Sequence, residues 1–142
     1  MIYFYKRFLV CLISLFLVGA CANARTPDRS DLQHRRFVLA SVDGEPFSAS
    51  RMPEMTFDEN FRITGQMCNR FTGQGILEKG MVKASQMAST RMFCADAALN
   101  RVEDIFSAMM TAGSAAEFAD NTLTLRQGAH TLVFTAKDRV KE

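Results

Sequence analysis

Residues 96–113 (DAALNRVEDIFSAMMTAG) carry the clearest secondary-structure signal in the chain. Their large apolar side chains recur at spacings of three and four, which places them on one face of an α-helix: Leu99, Val102, Phe106, Met109 and Met110. Asp96 has the side chain of a helix N-cap, and Gly113 is the residue type that most often ends a helix. The sequence therefore predicts one amphipathic helix over 97–112, whose apolar stripe needs a surface to cover it.

Short segments typical of strands lie on both sides of this helix. Those before it are 36–42, 55–57, 61–67, 76–78 and 81–83, with 86–92 also extended. Those after it are 115–119, 122–127 and 130–136. Turn dipeptides such as Asp43-Gly44 and Lys79-Gly80 separate neighbouring segments. The pattern predicts an α+β domain in which an antiparallel sheet covers the helix.

The first twenty residues are typical of an export signal. Lys6 and Arg7 precede an uncharged run over 8–20 (FLVCLISLFLVGA), which is shorter than the ~20 residues of a membrane-spanning helix. Residues 17–21 (LVGAC) match the bacterial lipobox, in which small residues precede a cysteine that accepts lipid. We therefore expect residues 1–20 to be a lipoprotein signal peptide and Cys21 to be lipidated.

An ordinary cleaved signal or an uncleaved membrane anchor would share the apolar run, but small residues directly before a cysteine are what lipidation requires. Ala22, and not aspartate, follows the cysteine. By analogy with the general sorting rule, this favours the outer membrane, with the domain facing the periplasm. We expect residues 21–32 to form the lipidated cysteine and a flexible tether, 33–138 the folded domain, and 139–142 a tail.

The charge balance argues against nucleic acid as a partner. The chain of 142 residues has length for one domain, and the lysine and arginine outside the predicted signal equal the aspartate and glutamate in number. A nucleic-acid binder would concentrate cationic side chains along one face, and the sequence shows no such cluster. The membrane, through lipid on Cys21, and other envelope proteins are the partners that we expect.

Cys68 and Cys94 remain once Cys11 leaves with the signal and Cys21 takes lipid. In an oxidising compartment two leftover thiols usually form a disulfide. Closing a loop of 26 positions would stabilise the fold by roughly 3–4 kcal/mol. The alternatives are buried free thiols and a reactive cysteine, although neither residue has the Cys-x-x-Cys context of a redox motif.

The segments around these two cysteines carry a recognisable pair of motifs. Residues 65–73 read GQMCNRFTG and residues 87–94 read MASTRMFC. Together they resemble the META/HslJ family, whose hallmark is a Gly-x-x-Cys-Asn segment followed by a Thr-Arg-Met-x-Cys segment. The positions that carry the motif are Gly65, Cys68, Asn69, Arg70, Gly73, Thr90, Arg91, Met92 and Cys94. The likeness continues at 32–39, 121–125 and 130–132, and so covers about 33–136.

The resemblance implies an antiparallel β-sheet curled as an open, cracked barrel packed on one main α-helix. It also implies a role in heat shock and envelope stress. The family is similar to the pilot lipoproteins of type III secretion, which suggests a surface for another envelope protein. No catalytic residue is established for the family, so none is carried over to this chain.

The motif residues have a structural interpretation. A disulfide would fasten the Cys68 segment to the strand that leads into the helix, and Asn69 and Arg70 would bind backbone there. Asparagine also tolerates left-handed backbone angles. The alternatives are a binding surface made of Arg70 and Arg91, and catalysis. Three nearby glycines would allow bends and close approach of neighbouring backbone: Gly65, Gly73 and Gly75.

Other chemistry finds little support in the sequence. Neither His34 nor His130 has spacing that places it beside a nucleophile. Eight methionines follow the signal and raise the idea of Cu(I), but most belong to the helix stripe or to strands, where methionine fills cores. We therefore predict no catalytic residue, no cofactor and no metal ligand.

The sequence and the resemblance together favour a non-enzymatic envelope-stress lipoprotein that binds or supports other envelope proteins. The alternative function is a carrier that holds a small apolar ligand inside the open barrel, which requires a cavity of a few hundred Å³. An enzyme is the third hypothesis, and it requires a cluster of perturbed ionisable groups in a cleft.

Overall fold

The computed structural model describes residues 23–139. The predicted signal peptide and the lipid on Cys21 therefore lie outside the described residues, as do positions 140–142 of the predicted tail. Within 23–139, neither helix has the length and the apolar character that crossing a membrane requires.

The described chain forms nine strands and two helices, all strand pairs in the sheet being antiparallel. In chain order the elements are α1 (Arg29–Leu32), β1 (Arg35–Val42), β2 (Glu45–Pro46), β3 (Glu54–Phe57), β4 (Arg62–Gln66), β5 (Arg70–Glu78), β6 (Met81–Ser89), α2 (Ala97–Ala112), β7 (Ser114–Ala119), β8 (Thr122–Gln127) and β9 (His130–Arg139).

Eight strands close into a barrel, in the order β1-β3-β4-β5-β6-β7-β8-β9, while the short β2 pairs only with the end of β1. The ring closes because β9 pairs with β8 along one edge and with β1 along the other, from Phe37↔Ala136 to Val42↔Leu132. The α+β barrel is thus as expected, but the open form of the barrel is not found. Pairing of the first and last strands satisfies two edges that an open barrel would leave exposed.

The main helix has the bounds and the caps that the sequence predicts. Asp96 Oδ1 accepts a hydrogen bond of 3.1 Å from the Ala98 amide, and Gly113, at φ 89°, donates its N–H to the Met109 carbonyl at 2.9 Å. The buried stripe of α2 packs against β6 and β8. It consists of Leu99, Val102, Ile105, Phe106, Met109 and Met110.

Large apolar side chains fill the space between the strands and α2. The rings of Phe71 and Phe106 join the sheet to the helix at 4.9 Å between centroids, and the rings of Phe57 and Phe61 stack at the same distance. Each such side chain stabilises the fold by roughly 1.5–3 kcal/mol when it leaves water. Met81, which we also predicted in the core because it falls within a strand, is instead 40% exposed. Four methionines are buried in this core, as predicted: Met55, Met67, Met109 and Met110.

The N-terminal boundary of the folded body lies earlier than predicted. Residues 25–32, which we assigned to a flexible tether, pack on the barrel: Arg25 exchanges two backbone hydrogen bonds with Phe118, and Leu32 is 0% exposed. The Arg25 guanidinium pairs with Asp31 at 2.7 Å and lowers the pKa of that carboxyl. Pro27 is buried as well, and the Arg29 guanidinium lies 4.8 Å from the centroid of the Phe61 ring. Because these contacts are scattered, the segment shows no apolar period in the sequence.

Strand β5 is longer than predicted, because its glycines permit close packing and do not bend the chain away. A Cβ added at Gly75 would collide with the Phe61 carbonyl oxygen, to which the Gly75 amide donates a hydrogen bond of 2.9 Å. The following turn is as predicted, with Lys79 at φ 50° and Gly80 at φ 74°.

We expect Gly75→Ala to lower the free energy of unfolding by about 1–3 kcal/mol, because the added methyl group must push the Phe61 backbone aside. Gly128→Asn is a suitable control, since nothing lies within 4 Å of the added Cβ and asparagine tolerates the φ of 57°. Urea unfolding measures both variants. Equal stability of the Gly75→Ala variant and the parent chain would contradict the close-packing argument.

Candidate functional site

Two segments meet at one end of the barrel, and we call them together the tip: residues 67–70, between β4 and β5, and residues 90–96, between β6 and α2. A disulfide between Cys68 and Cys94 joins them, with the two Cα atoms 5.9 Å apart. The bond links the start of β5 to the chain that enters the main helix. This is the arrangement that the structural interpretation of the motif expects.

Asn69 is the polar centre of the tip and is only 6% exposed. Its Oδ1 accepts hydrogen bonds from the Met92 amide (2.7 Å) and the Thr90 hydroxyl (2.9 Å). Its Nδ2 donates to the Met92 carbonyl (3.0 Å) and to Glu103 Oε1 (2.7 Å). A carboxamide has two acceptor sites and two donor hydrogens, so this side chain is fully satisfied.

Glu103, on the second turn of α2, fixes the same asparagine from the helix side. Its Oε2 accepts a hydrogen bond of 2.5 Å from the Asn69 amide, while Oε1 accepts from Asn69 Nδ2. Both oxygens of one carboxylate therefore hold one residue, and hydrogen bonds to a charged acceptor are stronger than those between neutral groups. The tip is thereby fastened to the helix.

Among the described residues, the chain over 90–94 is hydrogen-bonded along one edge only. Thr90 donates its amide to the Arg70 carbonyl at 3.0 Å, and Met92 exchanges two bonds with the Asn69 side chain. Cys94 exchanges two bonds with the Asn100 side chain, at 3.1 Å through its amide and 2.7 Å through its carbonyl. Two asparagine side chains thus take the place of a neighbouring strand.

A cleft of about 530 Å³ opens beside this segment. Arg51 lines it and donates to the Met67 and Cys68 carbonyls, at 3.0 Å each, while the Ser50 amide donates to Asp96 Oδ2 at 2.8 Å. Hydrogen bonds from the backbone amides of Ser50 and, to a smaller extent, Ala98 lower the pKa of the Asp96 carboxyl. Arg51 and Asp96 are therefore engaged in holding backbone, whereas Arg70, which also lines the cleft, is not.

The outer side of the tip carries apolar side chains and two arginines, and a recess beside Arg91 and Phe93 is also lined by Glu103 and Asp104. Met92 is 74% exposed and Phe93 is 89% exposed. Arg70 and Arg91 are also exposed, and within residues 23–139 neither guanidinium has a hydrogen-bond or ion-pair partner. An exposed aromatic ring on a surface that also carries unpaired cations can receive an apolar side chain and carboxylates from another molecule.

The structure brings most of the predicted motif residues together at the tip. As expected, Asn69 binds backbone through its side chain, whereas the Arg70 guanidinium makes no such bond within residues 23–139. Asn69 is not in the left-handed region. Gly65 and Gly73 lie in strands, where added Cβ atoms would strike Glu54 and Met87. His130 lies elsewhere, where its Nδ1 is 2.9 Å from Asp43 Oδ2.

Three residues that hold the tip were not predicted from the sequence: Arg51, Asn100 and Glu103. Asn100 and Glu103 stand on the polar face of α2, where surface side chains look alike in a sequence. Arg51 comes from a segment with no regular pattern. Their spacing along the chain gives no signal, because each reaches the motif only once the barrel has closed.

Replacement of Asn69 by aspartate should destabilise the fold by about 2–4 kcal/mol, because a second carboxylate would face Glu103 and the Met92 carbonyl would lose its donor. Glu103→Gln in the same chain should restore part of this loss by supplying a donor toward residue 69. Urea unfolding of the two single variants and the double variant measures the coupling energy. Additive losses would show that the two side chains do not interact.

Cys68→Ser/Cys94→Ser should lower the free energy of unfolding by roughly 3 kcal/mol, because the 26-residue loop is no longer closed in the unfolded chain. A reductant should lower the melting temperature of the parent chain and leave that of the double variant unchanged. A parent chain whose melting temperature is insensitive to the reductant would contradict a stabilising bond.

Comparison with known proteins agrees with this geometry. The META domain family model matches residues 30–139. Heat shock protein HslJ of Escherichia coli (strain K12) is 40% identical over 130 residues, which cover 89% of this chain and 91% of that protein. A solved NMR structure with 40% identity has a TM-score of 0.71 and covers 77% of this chain and 94% of its own. Another, from Burkholderia xenovorans, is 20% identical, with a TM-score of 0.62 over 82% and 94% of the two chains, and shares the fold. The chain therefore belongs to the META domain family.

Proposed function

We propose that this protein is a non-enzymatic, lipid-anchored protein of the bacterial envelope that binds another envelope protein through its tip under stress. The exposure of Met92 and Phe93 on a firmly held segment carries the proposal. The likeness to a protein named heat shock protein HslJ supports the stress response.

An exposed aromatic ring on a fixed support is a feature of a binding surface. Phe93 lies between Met92 and Cys94, whose backbone is held by asparagine side chains, and Cys94 is also in the disulfide. Because this segment is already held in place, little conformational entropy would be lost when a partner binds it. Burial of apolar surface returns about 25 cal/mol per Å². The tip is therefore suited to contribute an anchor residue to an interface.

The lipid anchor follows from the lipobox at 17–21. Several acyl chains on Cys21 would hold the protein on the membrane durably, whereas one chain would bind only marginally. Ala22 supports attachment to the outer membrane, with the domain in the periplasm. In that oxidising space, the bond between Cys68 and Cys94 would persist.

The polar groups of the cleft support binding more than catalysis. Asn69 uses its full hydrogen-bonding capacity, and Asp96 accepts from the Ser50 and Ala98 amides. A nucleophile needs a base within hydrogen-bond reach, and His130 is engaged with Asp43 away from the cleft. In the part of the chain that the structure describes, no group of three or more His, Cys, Asp or Glu residues could hold a metal ion.

The filled interior favours a binding surface over the alternative of a ligand carrier. Phe37, Phe57 and Phe134 are at most 1% exposed and belong to one core cluster with the stripe of α2. A carrier would need to displace such side chains to make room for an apolar guest. The outer surface of the tip needs no such rearrangement.

A photo-crosslinking amino acid at position 93, in full-length protein made at native abundance during heat stress, should give a covalent adduct with an envelope protein. The same amino acid at Ala108, an exposed position further along α2, is the matched control. Mass spectrometry of the same material should show acylated Cys21. No adduct specific to position 93, or a chain still bearing residues 1–20, would contradict the proposal.

A further inference from the structure

We propose that the outer edge of residues 90–94 accepts an extended segment of the partner protein, which adds to it as a β-strand. This inference rests on the proposed function and names the mode of binding. It is drawn from the backbone of the tip, whose hydrogen-bonding groups on that edge have no partner among residues 23–139.

The pattern of bonds over 90–94 is that of an edge strand. In an extended chain the N–H and C=O of one residue point to the same side, and those of the next residue point to the other. Thr90, Met92 and Cys94 direct these groups inward. The N–H and C=O of Arg91 and Phe93 consequently point outward, and within residues 23–139 they make no hydrogen bond.

An exposed edge of this kind matches a peptide backbone in register. Strand addition to a free edge gains main-chain hydrogen bonds, while pockets beside the edge select side chains. The cleft of about 530 Å³ lies beside the segment, and Arg51 holds its wall by two backbone carbonyls. The site therefore offers a preformed edge together with a preformed recess.

Charge identifies the chemistry of the added strand. In an extended chain, Arg91 and Phe93 project from the same face, and Arg70 lies on the other segment of the tip. Because both guanidiniums are unpaired among the described residues, carboxylates next to an apolar side chain complement this surface. A second copy of this chain would bring the same cations face to face, which disfavours a homodimer at this edge.

The position of the anchor separates the tip from the membrane. Thr26 lies beside Gly80, in the turn between β5 and β6, where a Cβ added to the glycine would come within 3.3 Å of the Thr26 methyl group. The tip lies at the opposite ends of these nine-residue strands. That separation is about 26 Å at ~3.3 Å per residue. Cys21 precedes Arg25 by four residues, a reach of at most about 14 Å. If the tip were inserted into the hydrocarbon core of the membrane, the outward backbone groups of Arg91 and Phe93 would also be left without hydrogen-bond partners.

The test uses the full lipidated chain in nanodiscs and a phage-displayed library of random dodecapeptides. Selected peptides are synthesised, and their affinities are measured by fluorescence anisotropy for the parent chain, Arg91→Ala and Arg91→Pro. We expect apolar residues next to acidic ones in the peptides. Arg91→Pro should bind about threefold to tenfold more weakly than Arg91→Ala, because proline removes one backbone donor. Proline suits an extended edge, and the lost N–H has no partner in the described part of the chain.

Hydrogen exchange on the parent chain provides a second measurement that needs no variant. The amides of Met92 and Cys94 should be protected with and without peptide, whereas those of Arg91 and Phe93 should gain protection only with peptide. Equal affinities of the alanine and proline variants, or protection confined to other residues, would overturn strand addition.

Three further results would also count against it. The first is a library that yields no binding peptide. The second is a dimer, seen in sedimentation, that Arg91→Pro converts to a monomer, since a second copy of the chain would then be what binds to this edge. Cellular crosslinks from position 93 that Arg91→Pro leaves unchanged would overturn strand addition but leave the proposed partner binding intact.

Discussion

The carboxamide of Asn69 is the constraint on which the tip depends. Four hydrogen bonds use its whole capacity, and they reach the segment before the helix and the helix itself. A buried carboxamide with even one group unpaired would cost about 1–3 kcal/mol. The disulfide next to it holds the same two segments covalently. The hydrogen bonds of this single side chain therefore hold the backbone of Met92 in place.

That constraint explains how an exposed phenylalanine can occupy a defined place. Side chains on loops ordinarily sample many positions, since loops have few buried contacts. Here the residues on either side of Phe93 are bonded through amide and carbonyl alike. Asn69, from the turn between β4 and β5, and Asn100, from the helix, provide this support.

Local pattern predicted the elements, and tertiary contact determined the rest. The helix stripe and its caps at Asp96 and Gly113 depend on near neighbours, so the bounds of α2 were predictable. Gly73 and Gly75 suggested bends in the sequence. In the structure both lie inside β5, where Met87 packs closely against Gly73 and Phe61 against Gly75. Closure of the barrel depends on pairs such as Phe37↔Ala136, about a hundred positions apart, which no local signal encodes. The motif pointed to Asn69 but not to its partner Glu103, for the same reason.

The pairing of β1 with β9 also bears on how the chain acquires its fold. One edge of β1 has no partner until β9 has been synthesised and has paired with it. The contacts that close the barrel are therefore between residues far apart in sequence. Folds of this kind form slowly, because long loops must close before their contacts repay the lost entropy. If the polypeptide crosses a membrane pore from its amino end, its barrel cannot close, and the chain stays unfolded, until β9 has emerged.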